Sequence, residues 1–114
     1  FEERQWGSFF NLFETRNIKV KELIVEPGKS MSLQKHHKRN EIWLVSKGSC
    51  EVNSAISPEK KLKTTKLQKF DYHVVPLGQW HQICNPFSKA VHIIEIQYGE
   101  ECMEEDIERF SNSN

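Results

Sequence analysis

From Gly7 to Tyr98 the chain is a series of short apolar runs, broken by turn residues about every eight to twelve positions, the spacing of an all-β domain. Candidate strands cover 7–13, 19–25, 30–34, 41–46, 50–56, 62–67, 72–75, 81–84 and 91–98. The breaks hold Pro27-Gly28, Lys47-Gly48, Ser57-Pro58-Glu59 and Pro76-Leu77-Gly78, where proline and glycine supply turn dihedrals. Residues 19–25 and 62–67 alternate, so one face of each strand is expected to be apolar and the other polar. Only the tail departs from this pattern. Glu104-Glu105-Asp106-Ile107-Glu108-Arg109-Phe110 has acids first, a cation late and apolar residues three apart, which suits a short C-terminal helix or turn, the helix being the first expectation. Ser111-Asn112-Ser113-Asn114 is expected to fray.

At 114 residues the chain fits one domain, 1–114, with no internal repeat or linker. Seven Phe and three Trp provide large core side chains, which excludes a disordered chain. Lys+Arg and Asp+Glu balance at 16 each, so the surplus of positive charge that phosphate-backbone binding needs is missing, and nucleic acid is not an expected partner. Even the densest basic stretch, Lys60-Lys61-Leu62-Lys63 with Lys66, alternates with apolar residues as a solvated strand face does. No apolar run approaches the roughly 18–20 residues of a membrane span, and the amino end has no apolar core like a signal peptide's. Cys50, Cys84 and Cys102 are odd in number and widely spaced, so reduced thiols in a cytoplasmic compartment are expected. The first residue is Phe rather than Met, as in a chain trimmed or cut from something longer.

The stretch from Gly28 to Gly48 carries the chemistry. Gln34 and His36 are two apart, so on a strand their side chains share a face. Glu41 follows after a polar turn, at the head of Ile42-Trp43-Leu44-Val45, where a hairpin would return its carboxylate to the first pair. Imidazole, carboxylate and amide oxygen make a mixed N/O site for a divalent ion such as Zn²⁺, Fe²⁺, Mn²⁺ or Co²⁺. So few protein ligands leave positions open, the mark of a catalytic site. A second piece, Pro76-Leu77-Gly78-Gln79-Trp80-His81, turns a tight corner into a strand and offers a distant His to close the site. His73 and His92 lie in strands without such context and are expected to be structural, and Trp6, Trp43 and Trp80 to pack in the core or barrel rim.

Gly28-x5-Gln34-x-His36-x4-Glu41-x6-Gly48 resembles the first cupin motif, with Gln where the commonest form has His. Pro76-x-Gly78-x2-His81-x3-Asn85 resembles the second, with Phe70 where that motif usually opens on Gly. The resemblance implies a double-stranded β-helix, the cupin jelly-roll barrel, with one divalent metal held by Gln34, His36, Glu41 and His81. A narrower resemblance spans nearly the whole chain. Arg4-Gln5-Trp6-Gly7, Lys19-Val20-Lys21, Pro27-Gly28, Gln34-x-His36-His37-x-Arg39-x-Glu41-x-Trp43, Glu95-x-Gln97-x-Gly99 and Glu105-Asp106-Ile107-x-Arg109-Phe110 are similar, in order, to the type II mannose-6-phosphate isomerase domain. Ile42 departs from it, standing where that domain usually has a second His, and no Asp-x-Tyr-Gly-Arg ending follows Arg109-Phe110. The guanylyltransferase half usually fused upstream, with its Gly-rich nucleotide loop, is not in this sequence.

The resemblance implies an intramolecular oxidoreductase that interconverts mannose 6-phosphate and fructose 6-phosphate, or a related sugar phosphate, with Zn as the first expectation and Mn, Co, Fe or Ni as alternatives. Moving a proton between C1 and C2 needs a positively charged centre at the oxygens and a general base. Candidate bases are His37, Lys21 or a water at the ion. Arg39 and Arg109 are candidates to hold the phosphate and to stabilise the enediolate. Barrel edges commonly pair, which leads to the expectation of a homodimer. The competing readings are a non-catalytic sugar-phosphate-binding or regulatory cupin, and another cupin enzyme acting on a nucleotide-linked sugar.

Overall fold

The computed structural model describes residues 1–57, 59 and 61–110. Pro58 of the expected 57–59 turn, Lys60 of the basic stretch and the tail expected to fray lie outside the described residues.

The strands are β1 (Glu2–Arg4), β2 (Gly7–Glu14), β3 (Ile18–Val25), β4 (Gln34–Lys35), β5 (Arg39–Lys47), β6 (Cys50–Ala55), β7 (Lys63–Leu67), β8 (Tyr72–Val75), β9 (Trp80–Cys84), β10 (Val91–Gly99) and β11 (Glu108–Arg109). They form two antiparallel sheets, ordered β1-β2-β3-β10-β5-β8 and β11-β4-β9-β6-β7. This is the all-β double-stranded β-helix that the motifs imply. The strand expected over 30–34 is shorter than its pattern suggests: Ser30 makes one isolated bridge to Cys84, and regular pairing begins at Gln34.

The alternation differs in an informative way from the expected apolar and polar faces. On β3 the buried positions are Lys19, Lys21, Leu23 and Val25, while Val20, Glu22 and Ile24 face outward. The inward face is therefore charged at one end and apolar at the other. β10 repeats this with Gln97, Glu95, Ile93 and Val91, and β5 with Arg39, Glu41, Trp43 and Val45. Register aligns the gradients: Lys19 opposes Gln97, which opposes Glu41, and one layer down Lys21 opposes Glu95, which opposes Trp43. One layer further, Leu23, Ile93 and Val45 join Val52 and Ile83 of the other sheet in the core. One end of the barrel is thus sealed by apolar packing, which leaves the other free to carry polar groups.

The tail corrects the expected helix. Among the described residues there is no α-helix. Residues 104–105 turn, and β11 pairs with β4, Arg109 opposite Gln34. The reason is competition for backbone partners. The Asp106 carboxylate accepts from the main-chain N–H groups of His37 at 2.9 Å and Lys38 at 2.8 Å, and Phe110 N donates to Leu33 O at 3.0 Å. A seven-residue helix falls short of the roughly 12–15 residues at which helices become marginally stable alone, so these tertiary bonds win.

Phe70 explains one departure from the cupin motif. It has φ 73°, the one positive φ at a non-glycine position among the described residues. The Gln68–Asp71 turn, closed by Asp71 N to Gln68 O at 2.9 Å, puts Phe70 in its third position, where a type II turn requires φ above zero. The conformation a glycine would supply is thus kept by a phenylalanine at a cost of about 1–2 kcal/mol. The ring is 70% exposed, so little packing offsets that cost. Phe70→Gly is expected to raise unfolding free energy by about 0.5–1 kcal/mol, the relieved strain less the added chain entropy, read as a higher urea midpoint at constant slope. A lower midpoint would contradict this account of the turn.

Candidate metal centre

At the polar end, three donors converge from both sheets. His36 follows β4, Glu41 lies on β5 and His81 on β9. Each offers a ligand atom, and these atoms lie within 4.8 Å of one another. His36 Nε2 is 3.0 Å from Glu41 Oε2, and His81 Nε2 is 3.7 Å from Glu41 Oε1. All three residues are buried, Glu41 with 1% of its surface exposed.

The rings are oriented by the backbone. His36 Nδ1 lies 2.6 Å from the carbonyl oxygen of Asp106, and His81 Nδ1 lies 2.9 Å from that of Gln79. A carbonyl only accepts, so each Nδ1 carries the hydrogen and each Nε2 turns toward Glu41. An outer partner on one ring nitrogen is the usual arrangement for a metal-binding imidazole. The donor set therefore fits a divalent ion: two Nε2 atoms and a carboxylate face a common point. Gln34 sits opposite His81 in register, lines the same cavity, and donates its amide to Ser32 O at 3.4 Å.

Electrostatics keep the carboxylate ionised. Complete burial pushes the Glu41 carboxyl up, but its hydrogen bond with His36 in the protonated form and the charges of protonated His81 and His36 and of Arg39 outweigh it and hold it well below the usual range. With the imidazoles neutral, Arg39 is the charge that remains. His81 is lowered to about 4, chiefly by burial, which keeps it a neutral donor at neutral pH. Glu95 moves the other way: burial, then the charge of Glu41 and a hydrogen bond with it, push its carboxyl above the usual range. Trp43 Nε1 bridges the two acids, donating to Glu41 Oε1 and Glu95 Oε2 at 3.1 Å each.

The other candidates from the sequence are scattered in role. Arg39 is buried and committed: Nε donates to Glu41 Oε2 at 3.1 Å and Nη1 to Met103 O at 2.8 Å. Lys21 and Arg109 line the cavity, Arg109 from the exposed strand β11. His37 does not reach it; its exposed ring lies 3.3 Å from Glu108. Ile42 projects outward between the inward-facing Glu41 and Trp43, so its replacement of a histidine leaves the donor set untouched. Residue-type reasoning did not assign to the site Glu95, Gln97 and Glu104, which line the cavity, or Lys19, which pairs with Glu104 beside it. The available signal was phase, since three of them share the inward period of Leu23, Val25, Val91 and Ile93.

A polar-mouthed jelly-roll barrel holding this donor set is a cupin. The description "mannose-6-phosphate isomerase C-terminal" matches residues 2–112, and the chain belongs to that family. Its relatives include the xanthan biosynthesis protein XanB of Xanthomonas campestris pv. campestris, 36% identical over 96% of this chain and 22% of the relative. The alginate biosynthesis protein AlgA of Pseudomonas putida is 37% identical over 96% of this chain and 21% of the relative. Mannose-1-phosphate guanylyltransferase 2 of Escherichia coli O157:H7 is 34% identical over 93% and 21%. The chain thus spans about a fifth of the length of the relatives it matches. Among solved structures, the capsular polysaccharide assembling protein CapF of Staphylococcus aureus superposes with TM-score 0.79 at 21% identity, covering 96% of this chain and 33% of that one. A cupin 2 conserved barrel domain protein of Salinispora arenicola gives TM-score 0.67 at 21% identity, with 81% and 75% covered. These two likenesses show the fold.

The segment that supplies the Asp106 carbonyl is also held by charge. Glu104 Oε1 accepts from Lys21 Nζ at 2.7 Å and from Lys19 Nζ at 3.2 Å. Partial burial pushes the Glu104 carboxyl up, but these two lysines hold it at about 2, against an ordinary 4.5. A lowered carboxyl contributes stability that is present above its unfolded value and lost as pH falls through the folded one. The melting-temperature difference between wild type and Glu104→Gln is therefore expected to be constant above pH 4.5 and to shrink between 4.5 and 2, measured by circular dichroism. A difference that grows in that window would contradict the pairing.

Proposed function

We propose that this chain is a metal-dependent aldose-ketose isomerase domain of the type II class, acting on mannose 6-phosphate and fructose 6-phosphate or a close relative. The observation that carries the reading is the convergence of His36 Nε2, His81 Nε2 and the Glu41 carboxylate in a cavity of about 430 Å³ that Gln34 also lines. That volume falls in the roughly 300–1,000 Å³ range of small-molecule sites. Gln34, His36, Glu41 and His81 would hold the ion, Zn²⁺ first among the candidates. A divalent ion there supplies positive charge to the oxygens on C1 and C2 of a sugar phosphate.

The chain's own groups do the rest. Arg39, locked against Glu41, fixes the carboxylate and adds a permanent positive charge beside it. Arg109 meets the bound sugar phosphate at the rim. Buried walls exclude water from the reacting carbons. Of the proton carriers considered, His37 faces solvent and Lys21 is paired as an ammonium with Glu104, so neither is assigned that step.

Fructose 6-phosphate production from mannose 6-phosphate, followed in a coupled assay with Zn²⁺, Mn²⁺ or Co²⁺ added in turn, is expected to show turnover that a chelator abolishes. Glu41→Gln and His81→Ala are each expected to lower kcat/KM by more than about 100-fold while the β-sheet spectrum persists. Absence of turnover with every metal, alongside measurable sugar-phosphate binding, would replace the isomerase with a binding module.

A further inference from the structure

Two buried amines stand apart from the donor set. Lys19 and Lys21 occupy inward positions of β3 with 6% and 4% of their surface exposed. Further down the same face those positions are Leu23 and Val25. Apolar residues would fill the upper two with less desolvation cost, so a packing role does not account for the lysines. Both ammonium groups converge on one atom, Glu104 Oε1, at 3.2 and 2.7 Å, with the exposed Glu14 a more distant 3.9 Å from Lys19. The relation is asymmetric. The lysines are fixed inside the barrel, whereas the Glu104 side chain is 58% exposed and reaches in from a segment without regular structure.

A second observation points to a ligand. Gln97, opposite Lys19 in register and 1% exposed, has an Oε1 atom with no hydrogen-bond partner among the described residues. Its amide nitrogen is used on Glu95 at 2.9 Å, so the oxygen is left as a buried, unpaired acceptor of a residue that lines the same cavity as Lys21, Glu104 and the metal donors. A hydroxyl beside an anionic group would satisfy it.

We propose that Lys19 and Lys21 are the seat for the substrate's phosphate, and that Glu104 is a built-in stand-in which the phosphate displaces. A phosphate monoester presents three terminal oxygens where Glu104 offers both lysines a single one. β3 lies two strands from β5, so the seat is on the order of 10 Å from Glu41 at the usual strand spacing, the scale of an extended hexose phosphate. Displacement requires only that an exposed side chain swing outward; the Met103 and Asp106 carbonyls keep their bonds to Arg39 and His36. This assignment rests on the sugar-phosphate reading above and puts the phosphate at the cavity wall that Lys21 and Glu104 line, with Lys19 behind Glu104.

The test titrates wild type, Glu104→Gln, Lys21→Met and Arg109→Ala with inorganic phosphate, mannose 6-phosphate and unphosphorylated mannose by calorimetry. Removing the stand-in's charge is expected to tighten both phosphate ligands about tenfold and leave mannose unchanged, the scale of one charge-assisted contact. Lys21→Met is expected to weaken both phosphate ligands. The gain in Glu104→Gln is decisive, because a misfolded protein cannot bind more tightly. Unchanged or weaker phosphate binding by folded Glu104→Gln would overturn the seat, as would loss of phosphate binding in Arg109→Ala with Lys21→Met unaffected. The two readings separate cleanly. Tighter phosphate binding without isomerase turnover keeps the seat and removes the isomerase; turnover with an unresponsive Glu104→Gln does the reverse.

Discussion

The structure depends on a fully buried carboxylate. Glu41 could not stay ionised at the centre of a barrel without compensation, since moving a carboxylate out of water costs several kcal/mol even after relaxation. Compensation comes from Arg39 and Trp43, which each donate to one of its oxygens at 3.1 Å, while His36 and His81 face it with Nε2 atoms at 3.0 and 3.7 Å. Those groups in turn need fixing. The imidazoles are held by the Asp106 and Gln79 carbonyls, and the guanidinium by the Met103 carbonyl. The 103–110 segment is thus part of the site, which explains why it pairs across the barrel mouth instead of coiling on itself.

Packing such a cluster is possible because the two ends of the barrel differ. Leu23, Val25, Val45, Val52, Ile83, Val91 and Ile93 form a dry base whose burial supplies the stability. At the polar end the cost of desolvating charge offsets much of what its pairing contributes, and similar-sized apolar residues are often as stable or more so. Retaining Lys19, Lys21, Arg39, Glu41, Glu95 and two histidines inside instead of outside is the pattern of a protein that trades stability for a working site.

The all-β class was legible because turn residues recur at strand spacing, and the barrel from the two cupin-like motifs, whose His36, Glu41 and His81 the structure brings within 4.8 Å of one another. Other features were hidden for physical reasons. The 104–110 pattern carries real helix signals, but Asp106 finds better partners in the His37 and Lys38 amides, which no local window reveals. Lys19 was read only as part of the polar face of its strand, and Lys21 as a candidate base; the phase set by Leu23 and Val25 turns both inward. His37, a candidate base beside His36, sits in the bend between β4 and β5 with its ring exposed. Phe70 shows the reverse case, a motif position whose residue type changed while its backbone conformation did not.

The central claim is that the two imidazoles and Glu41 hold one ion. X-ray absorption at the metal edge of the zinc-loaded protein tests it most directly. The account predicts N/O donors at about 2.0–2.2 Å with the outer-shell scattering of two imidazoles, falling to one in His81→Ala. Zinc bound without imidazole scattering, or a spectrum unchanged by both His36→Ala and His81→Ala, would contradict it.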